Sequence, residues 1–311
     1  MTEKLTGEAK RTNEMIFYLL LATALLLAVF GVAAQPDSSL LRGFWAIQFG
    51  ETGLITDPIC TGGPGAALLN AAVLLLASTL LVRSMGKSFT GMSVACLFLM
   101  AGFALLGKNL INSAPILAGG WLYALYKREP FAKYIYLTMF GTCLAPMVSF
   151  LLLHEESPLR WFYMALCGVA IGFLLPAVSG YTVRIHQGYN LYNVGFSAGF
   201  VGMGIASVLK GFGVTFTTTG SWSTEYHMLL CVLVIVLLAG LLLLGIRLGC
   251  RSWGSYRKVL RHSGRAAADF LLLEGPGATF VNMALVGAVG LAYLSCWGFP
   301  STARWSAVSS P

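Results

Sequence analysis

Nine stretches of apolar residues, most close to 20 long, are separated by short polar connections in a chain of 311 residues. They lie near 15–34, 65–83, 88–107, 110–126, 134–153, 161–182, 190–209, 227–248 and 277–297. A helix of about 20 residues rises about 30 Å, the thickness of the hydrocarbon core of a bilayer. A soluble core does not need its apolar residues delivered in blocks of that length. The pattern predicts an all-α fold, a polytopic transmembrane helical bundle of about nine spans. Composition agrees, with 57% hydrophobic and only 10% charged residues, where soluble domains carry about 25% charged.

The first block resembles a secretory signal, because Lys10 and Arg11 precede it and Val32-Ala33-Ala34 looks like a cleavage site. Its apolar run of about 19 residues exceeds the 7–15 of a signal core, so a retained span is predicted. Alternating the connections from a cytoplasmic N-terminus puts fifteen of the 20 Lys and Arg inside. The other five (Arg42, Lys108, Arg160, Lys210 and Arg304) fall outside, beside the acidic loop His154-Glu155-Glu156. That bias is the orientation signal of inserted helices, so the expected place is the cell membrane, and the lipid bilayer is the first partner. The formal charge of +8 is spread between the blocks rather than gathered in a basic domain, and no nucleic-acid partner is expected. Seven cysteines show no C-x-x-C and no histidine at metal spacing, so they read as small apolar filler, and no cofactor or metal is expected.

An internal repeat appears at an offset of 212 residues. Gly63-Pro64-Gly65-Ala66 with Asn70 matches Gly275-Pro276-Gly277-Ala278 with Asn282, and Asp57 falls on Asp269. The first block lands on 227–246, itself a block. The second copy begins seven spans after the first, so it enters the membrane from the other side. This is an inverted-topology repeat, a plan common among secondary transporters. Residues 1–226 form the first repeat of about seven spans, and 227–311 begin a second. The second is expected to be incomplete: Pro300-Ser301-Thr302-Ala303-Arg304-Trp305-Ser306 is polar where a span would start. A second copy of the chain or another partner would then supply what is missing. Asn282 would otherwise face lipid.

Three stretches carry a family resemblance: Gly63 through Asn70, Met100-Ala101-Gly102-Phe103-Ala104-Leu105-Leu106-Gly107-Lys108-Asn109, and His186-Gln187-Gly188-Tyr189-Asn190-Leu191-Tyr192-Asn193-Val194-Gly195-Phe196. They resemble a family of bacterial polytopic membrane proteins catalogued as domain of unknown function 1576. The resemblance covers most of residues 40–297 and implies two related halves. It carries no assigned activity and therefore no functional residue.

The residues themselves suggest where work is done. Gly63 and Gly65, and Gly275 and Gly277, open a span in each copy with Pro at the first turn. Free N–H groups at such a helix start attract an anion or a substrate dipole. The amphipathic segment 40–62 would dip into the membrane to bring that start to depth. Asn70 and Asn282 lie two turns in and must find partners. Lys108, Asn109, Asn112 and Ser113 cluster where two blocks meet. Lys108 either snorkels to the interface or faces a cavity as an anion contact. His186, Asn190 and Asn193 open the seventh span as a polar cavity mouth, with Gly195, Gly199 and Gly202 continuing as a close-packing stripe. Pro115, Pro146 and Pro176 should kink their spans.

No Walker loop, H-E-x-x-H, G-x-S-x-G or intramembrane carboxylate pair is present, so an enzyme is not expected. The leading expectation is a transporter or channel-like protein for a small solute. The alternative is a membrane scaffold or assembly subunit with no solute path.

Overall fold

The computed structural model describes residues 7–50, 56–153, 158–187, 189, 192–216, 222–262 and 268–296. The acidic loop at 154–156, Asn190 and the polar tail from 300 lie outside the described residues. Among the described residues all regular structure is helical. In chain order these are α1 (Gly7–Ala34), α2 (Ser39–Phe49), α3 (Pro58–Gly62), α4 (Pro64–Ser84), α5 (Gly91–Ala104), α6 (Leu110–Lys127), α7 (Ile135–Gly141), α8 (Ala145–Phe150), α9 (Arg160–His186), α10 (Asn193–Gly211), α11 (His227–Arg247), α12 (Trp253–Arg257), α13 (Phe270–Leu273) and α14 (Gly275–Cys296).

Six helices are long and apolar enough to cross a membrane: α1, α4, α9, α10, α11 and α14. Large apolar side chains stand on their outer faces, such as Met203 and Val208 on α10 and Val286 and Val289 on α14. A water-soluble protein does not display that much apolar surface. Of the three other blocks one is short, one is broken and one is continuous but outside the six. Block 88–107 yields only 14 residues of α5, about 21 Å at 1.5 Å per residue, because the helix stops at Ala104 and Gly107 takes φ +92°. Block 110–126 forms α6 around Pro115. Block 134–153 is split into α7 and α8 by a 3-10 turn, Thr142–Leu144, immediately before Pro146. By contrast α6 and α9 run through Pro115 and Pro176 as single helices.

Contacts divide the chain into two compact units. One holds residues 24–87 and 95–221. Its core is built from α6, α8, α9 and α10, around Ile116, Val148, Ile171, Leu175 and Val201. There α6 and α9 cross at backbone distance: a Cβ on Gly172 would strike the Ile116 carbonyl, and one on Gly119 the Val169 carbonyl. This is the packing that small residues allow between helices in lipid. The stripe expected on α10 is largely absent. Gly199 has open space beside it, Gly195 meets only the Tyr192 Cβ at 3.8 Å, and Gly202 alone sits tight, with Leu144 at 3.1 Å. Spacing marked glycines on one helix, but close packing also needs a neighbour, and α9 supplies that neighbour to α6.

The other unit holds residues 1–23, 88–94 and 222–311. Here α11 and α14 cross where a Cβ on Gly245 would lie 2.8 Å from the Gly277 carbonyl oxygen. Cys250, Val259, Ala278 and Val281 pack below the crossing. In the first unit, α1 meets α4 in the same way, with the Gly65 carbonyl oxygen 2.8 Å from a Cβ placed on Gly31.

The sequence repeat is also a repeat of local geometry. Asp57 caps α3 by accepting from Ile59 N at 2.9 Å, and Asp269 caps α13 by accepting from Leu271 N at 3.0 Å. Each short helix is followed by a glycine in the left-handed region, Gly63 directly after α3 at φ +90° and Gly275 two residues past the end of α13 at φ +78°. Only glycine enters that region at little cost. A proline in the first turn then starts the long helix, as its missing N–H permits.

Candidate functional site: a buried hairpin tip

Helices α5 and α6 run antiparallel beside α7 and α8. Cys96 reaches the Tyr136 carbonyl, Thr142 contacts Met100 at 3.3 Å, the Thr138 side chain abuts Gly120, and Asn112 contacts Ser149. Residues 105–109 are therefore the tip of a helical hairpin. Asn112 occupies the capping-box position of α6: its Oδ1 accepts from Asn109 N, and Asn109 Oδ1 accepts from Asn112 N, both at 2.8 Å. The reciprocal cap satisfies two donors that a helix start leaves open.

The tip is welded to its surroundings by amide side chains. Asn70, on α4, donates to the Lys108 carbonyl at 2.8 Å and the Ala104 carbonyl at 3.3 Å, and accepts from Gln48 Nε2 at 2.9 Å. Gln48 also accepts from Leu110 N at 3.1 Å. Asn109 Nδ2 donates to the Ile47 carbonyl at 2.8 Å. Asn112 Nδ2 donates to Gly107 O and Ser149 Oγ, both at 2.9 Å. Helix α2 thus lies over the tip by its Ile47–Gln48 face, while Leu41, Trp45 and Phe49 on its other face are exposed.

Lys108 is 1% exposed, so it does not snorkel. Its amine lies 3.4 Å from Met100 Sδ and 5.1 Å from the centre of the Phe103 ring. The groups within electrostatic reach are the thiols of Cys96 and Cys143. The sequence placed Lys108 at a block end, where a lysine reaches water. The fold instead turns its side chain back along α5, beside Met100 and Phe103.

The expected anion site at the start of α4 is already filled. The N–H groups of Gly65 and Ala66 both donate to Gln35 Oε1, at 3.1 and 3.2 Å, while Gln35 Nε2 donates to Ser39 Oγ and Gly62 O. A side-chain amide serves as the acceptor that an anion would have been. Gln35, Gln48 and Ser149 carry no motif, and their roles emerge only from packing.

A second polar group joins α9 and α10. Asn193 Oδ1 accepts from Thr182 Oγ1 at 2.9 Å and lies 2.7 Å from His186 Nε2. Asn193 Nδ2 donates to Ser179 Oγ at 3.1 Å, and Ser197 lies 2.6 Å from Thr182. The structure brings His186 and Asn193 together, with Ser179, Thr182 and Ser197 added from positions the sequence did not mark. In the other unit Asn282 is not abandoned to lipid: it is half-buried and accepts from Tyr256 Oη at 3.1 Å. The connection carrying α12 supplies the partner that the span pattern did not show.

Comparison with known proteins gives one match. The family model described as "Protein of unknown function (DUF1576)" matches residues 36–211 and 250–304. The two matched segments contain both copies of the Asp–Gly-Pro-Gly turn. No curated protein matches, and no solved structure matches.

Proposed function

Because the chain belongs to the family of unknown function designated DUF1576, its work must be read from its own residues, and we propose that it carries a small solute across a membrane through the hairpin tip at Lys108–Asn112. One observation carries this reading: the joint between α5 and α6 is buried in protein and bonded through Asn70 to the spanning-length helix α4. Helix α4 has 21 residues, about 31 Å, which just spans the hydrocarbon. Asn70 lies six residues past Pro64, about 9 Å from that end. Its bonds to the Ala104 and Lys108 carbonyls therefore hold the tip inside the apolar layer. Irregular backbone at that depth is tolerated where protein buries it or where it lines a cavity, and such interrupted helices form the binding centres of many transporters.

In this reading α5 and α6 form a re-entrant hairpin that enters from and returns to one side, and α2 with α3 covers its tip from the other. The hairpin leaves the alternation of the connections unchanged, so the N-terminus remains cytoplasmic. The repeated turns at 57–65 and 269–277 support an inverted pair of repeats. The reading is non-enzymatic.

A scaffold remains the second reading, and the completeness of the amide weld favours it. Aqueous access separates the two. Ser113→Cys, nearly isosteric and beside Asn112, is placed in a variant lacking the seven native cysteines and reconstituted in vesicles. A small charged, membrane-impermeant thiol reagent present on both faces of the vesicles should modify it, more slowly than Ser255→Cys. If Ser113→Cys is as inert as the lipid-facing Leu99→Cys, there is no solute path and the scaffold reading replaces this one.

A further inference from the structure

We infer that the solute held at the hairpin tip is an anion, bound at Lys108 Nζ in the place now taken by the sulfur of Met100; this rests on the transport reading above.

Lys108 spends a donor on that sulfur, while the single proton of the neighbouring Thr142 hydroxyl goes to the Met139 carbonyl. Lys108 Nζ lies 3.4 Å from Met100 Sδ, and Thr142 Oγ1 lies 3.3 Å from it. A thioether is a weak acceptor, and it is a poor match for an ammonium withdrawn from water. Burying a charge without a partner is costly, and an intramembrane ionisable residue is retained chiefly where it meets a ligand or counter-ion. No carboxylate serves Lys108 among the described residues; its neighbours are the Phe103 ring and the thiols of Cys96 and Cys143. The surrounding amides spend their N–H groups on carbonyls and hydroxyls of the chain. The positive charge of Lys108 is thus the one strong group at the tip that the fold leaves without an acceptor of matching strength.

The displaced group is suited to leaving. Methionine is unbranched, flexible and easily repacked, so its sulfur can swing aside without moving backbone. A cation would be repelled by Lys108, and a neutral solute would leave the charge unmatched. An anion gives the ammonium the acceptor of matching strength that it lacks. Lys108 is also completely covered, so the anion reaches it only when the cover over the tip opens. That is the behaviour expected of an occluded carrier site.

The test uses the full chain in discs of zwitterionic lipid. Its melting temperature is followed during titration with sodium chloride, nitrate, acetate or phosphate, at ionic strength held constant with the bulky gluconate anion. At least one of the four should raise the melting temperature saturably by several degrees, as a ligand specific to the native state must. Lys108→Met should abolish the rise while keeping the helical content of the parent by circular dichroism, and Lys108→Arg should retain part of it. If Lys108→Met shows the same saturable rise, or the parent shows none with any of the four, the inference falls. Repeating the titration with anionic lipid separates the two sources of such a group. Loss of the rise there, with stabilisation by the lipid itself that Lys108→Met lacks, would assign the site to a headgroup phosphate and overturn the free-anion form. Access of thiol reagents to Ser113→Cys is independent of all these outcomes, so a solute path survives a failure of the anion.

Discussion

Asn70 Nδ2 donates to the carbonyl oxygen of Lys108 at 2.8 Å across 38 positions of sequence. That bond fixes the depth of the hairpin tip against α4. Asn70 is fully buried and makes three such bonds, to two carbonyls and to Gln48, whereas Asn282, its counterpart in the repeat, is half-buried and accepts one from Tyr256.

Asn70→Leu therefore leaves buried groups unsatisfied on both sides of the tip and should cost about 2–4 kcal/mol, while Asn282→Leu should cost about 1 kcal/mol or less. Thermal unfolding in mild detergent measures both. Equal losses would mean that the two asparagines carry the same load, contrary to the bonding described.

Gln35 is the acceptor for the start of α4. Gln35→Leu strands the N–H groups of Gly65 and Ala66 and should destabilise by about 1–3 kcal/mol. Gln35→Glu keeps the acceptor and places negative charge at a helix start, where it is favourable. It should recover most of the loss, and failure to recover it would move the role of Gln35 to its amide donor.

The glycines make opposite predictions on neighbouring helices. Gly172→Ala drives a methyl group into the Ile116 carbonyl and should cost about 1–3 kcal/mol, in line with overpacking elsewhere. Gly199→Ala enters open space and should be neutral or slightly stabilising, since alanine is the better helix former. A melting temperature that drops more for Gly199→Ala would contradict the packing of α6 on α9.

Orientation is checked by labelling from outside intact cells in a background without native cysteines. Leu159→Cys should react and Ser255→Cys should be protected until the membrane is permeabilised. The reverse pattern would invert the topology argued from the basic connections.

The parts of the fold legible in the sequence are those set by local chemistry. Block length marked the long helices. The paired Asp–Gly-Pro-Gly segments correctly announced two copies of one turn, since each of Asp57, Gly63 and Pro64 answers a backbone requirement within a few residues. Block 88–107 was misjudged in length because apolar character continues to Gly107, while the helix ends where Asn109 begins to cap the next one. The site was legible in its residues and not in their use. Asn70, Lys108, Asn109 and Asn112 stood out as polar groups in apolar surroundings. That three of them are consumed in holding the tip depends on partners such as Ile47 and Gln48 folding back from far upstream, and that Lys108 is sealed rather than snorkelling depends on its packing beside Met100 and Phe103.

The two-faced helix α2 has a consequence for the lipid. With α5 only 14 residues long, the exposed apolar surface around the tip is shared between two pieces: α5, exposing Leu99, and α2, exposing Leu41, Trp45 and Phe49. Helix α2 meets the tip at Asn109 and Leu110, next to Lys108. A bilayer that changes thickness pulls on such a joint directly, because the mismatch is borne by a short helix and its cover rather than by one continuous span. Acyl-chain length should therefore change how readily the tip is reached, and the reactivity of Ser113→Cys in bilayers of different thickness measures it.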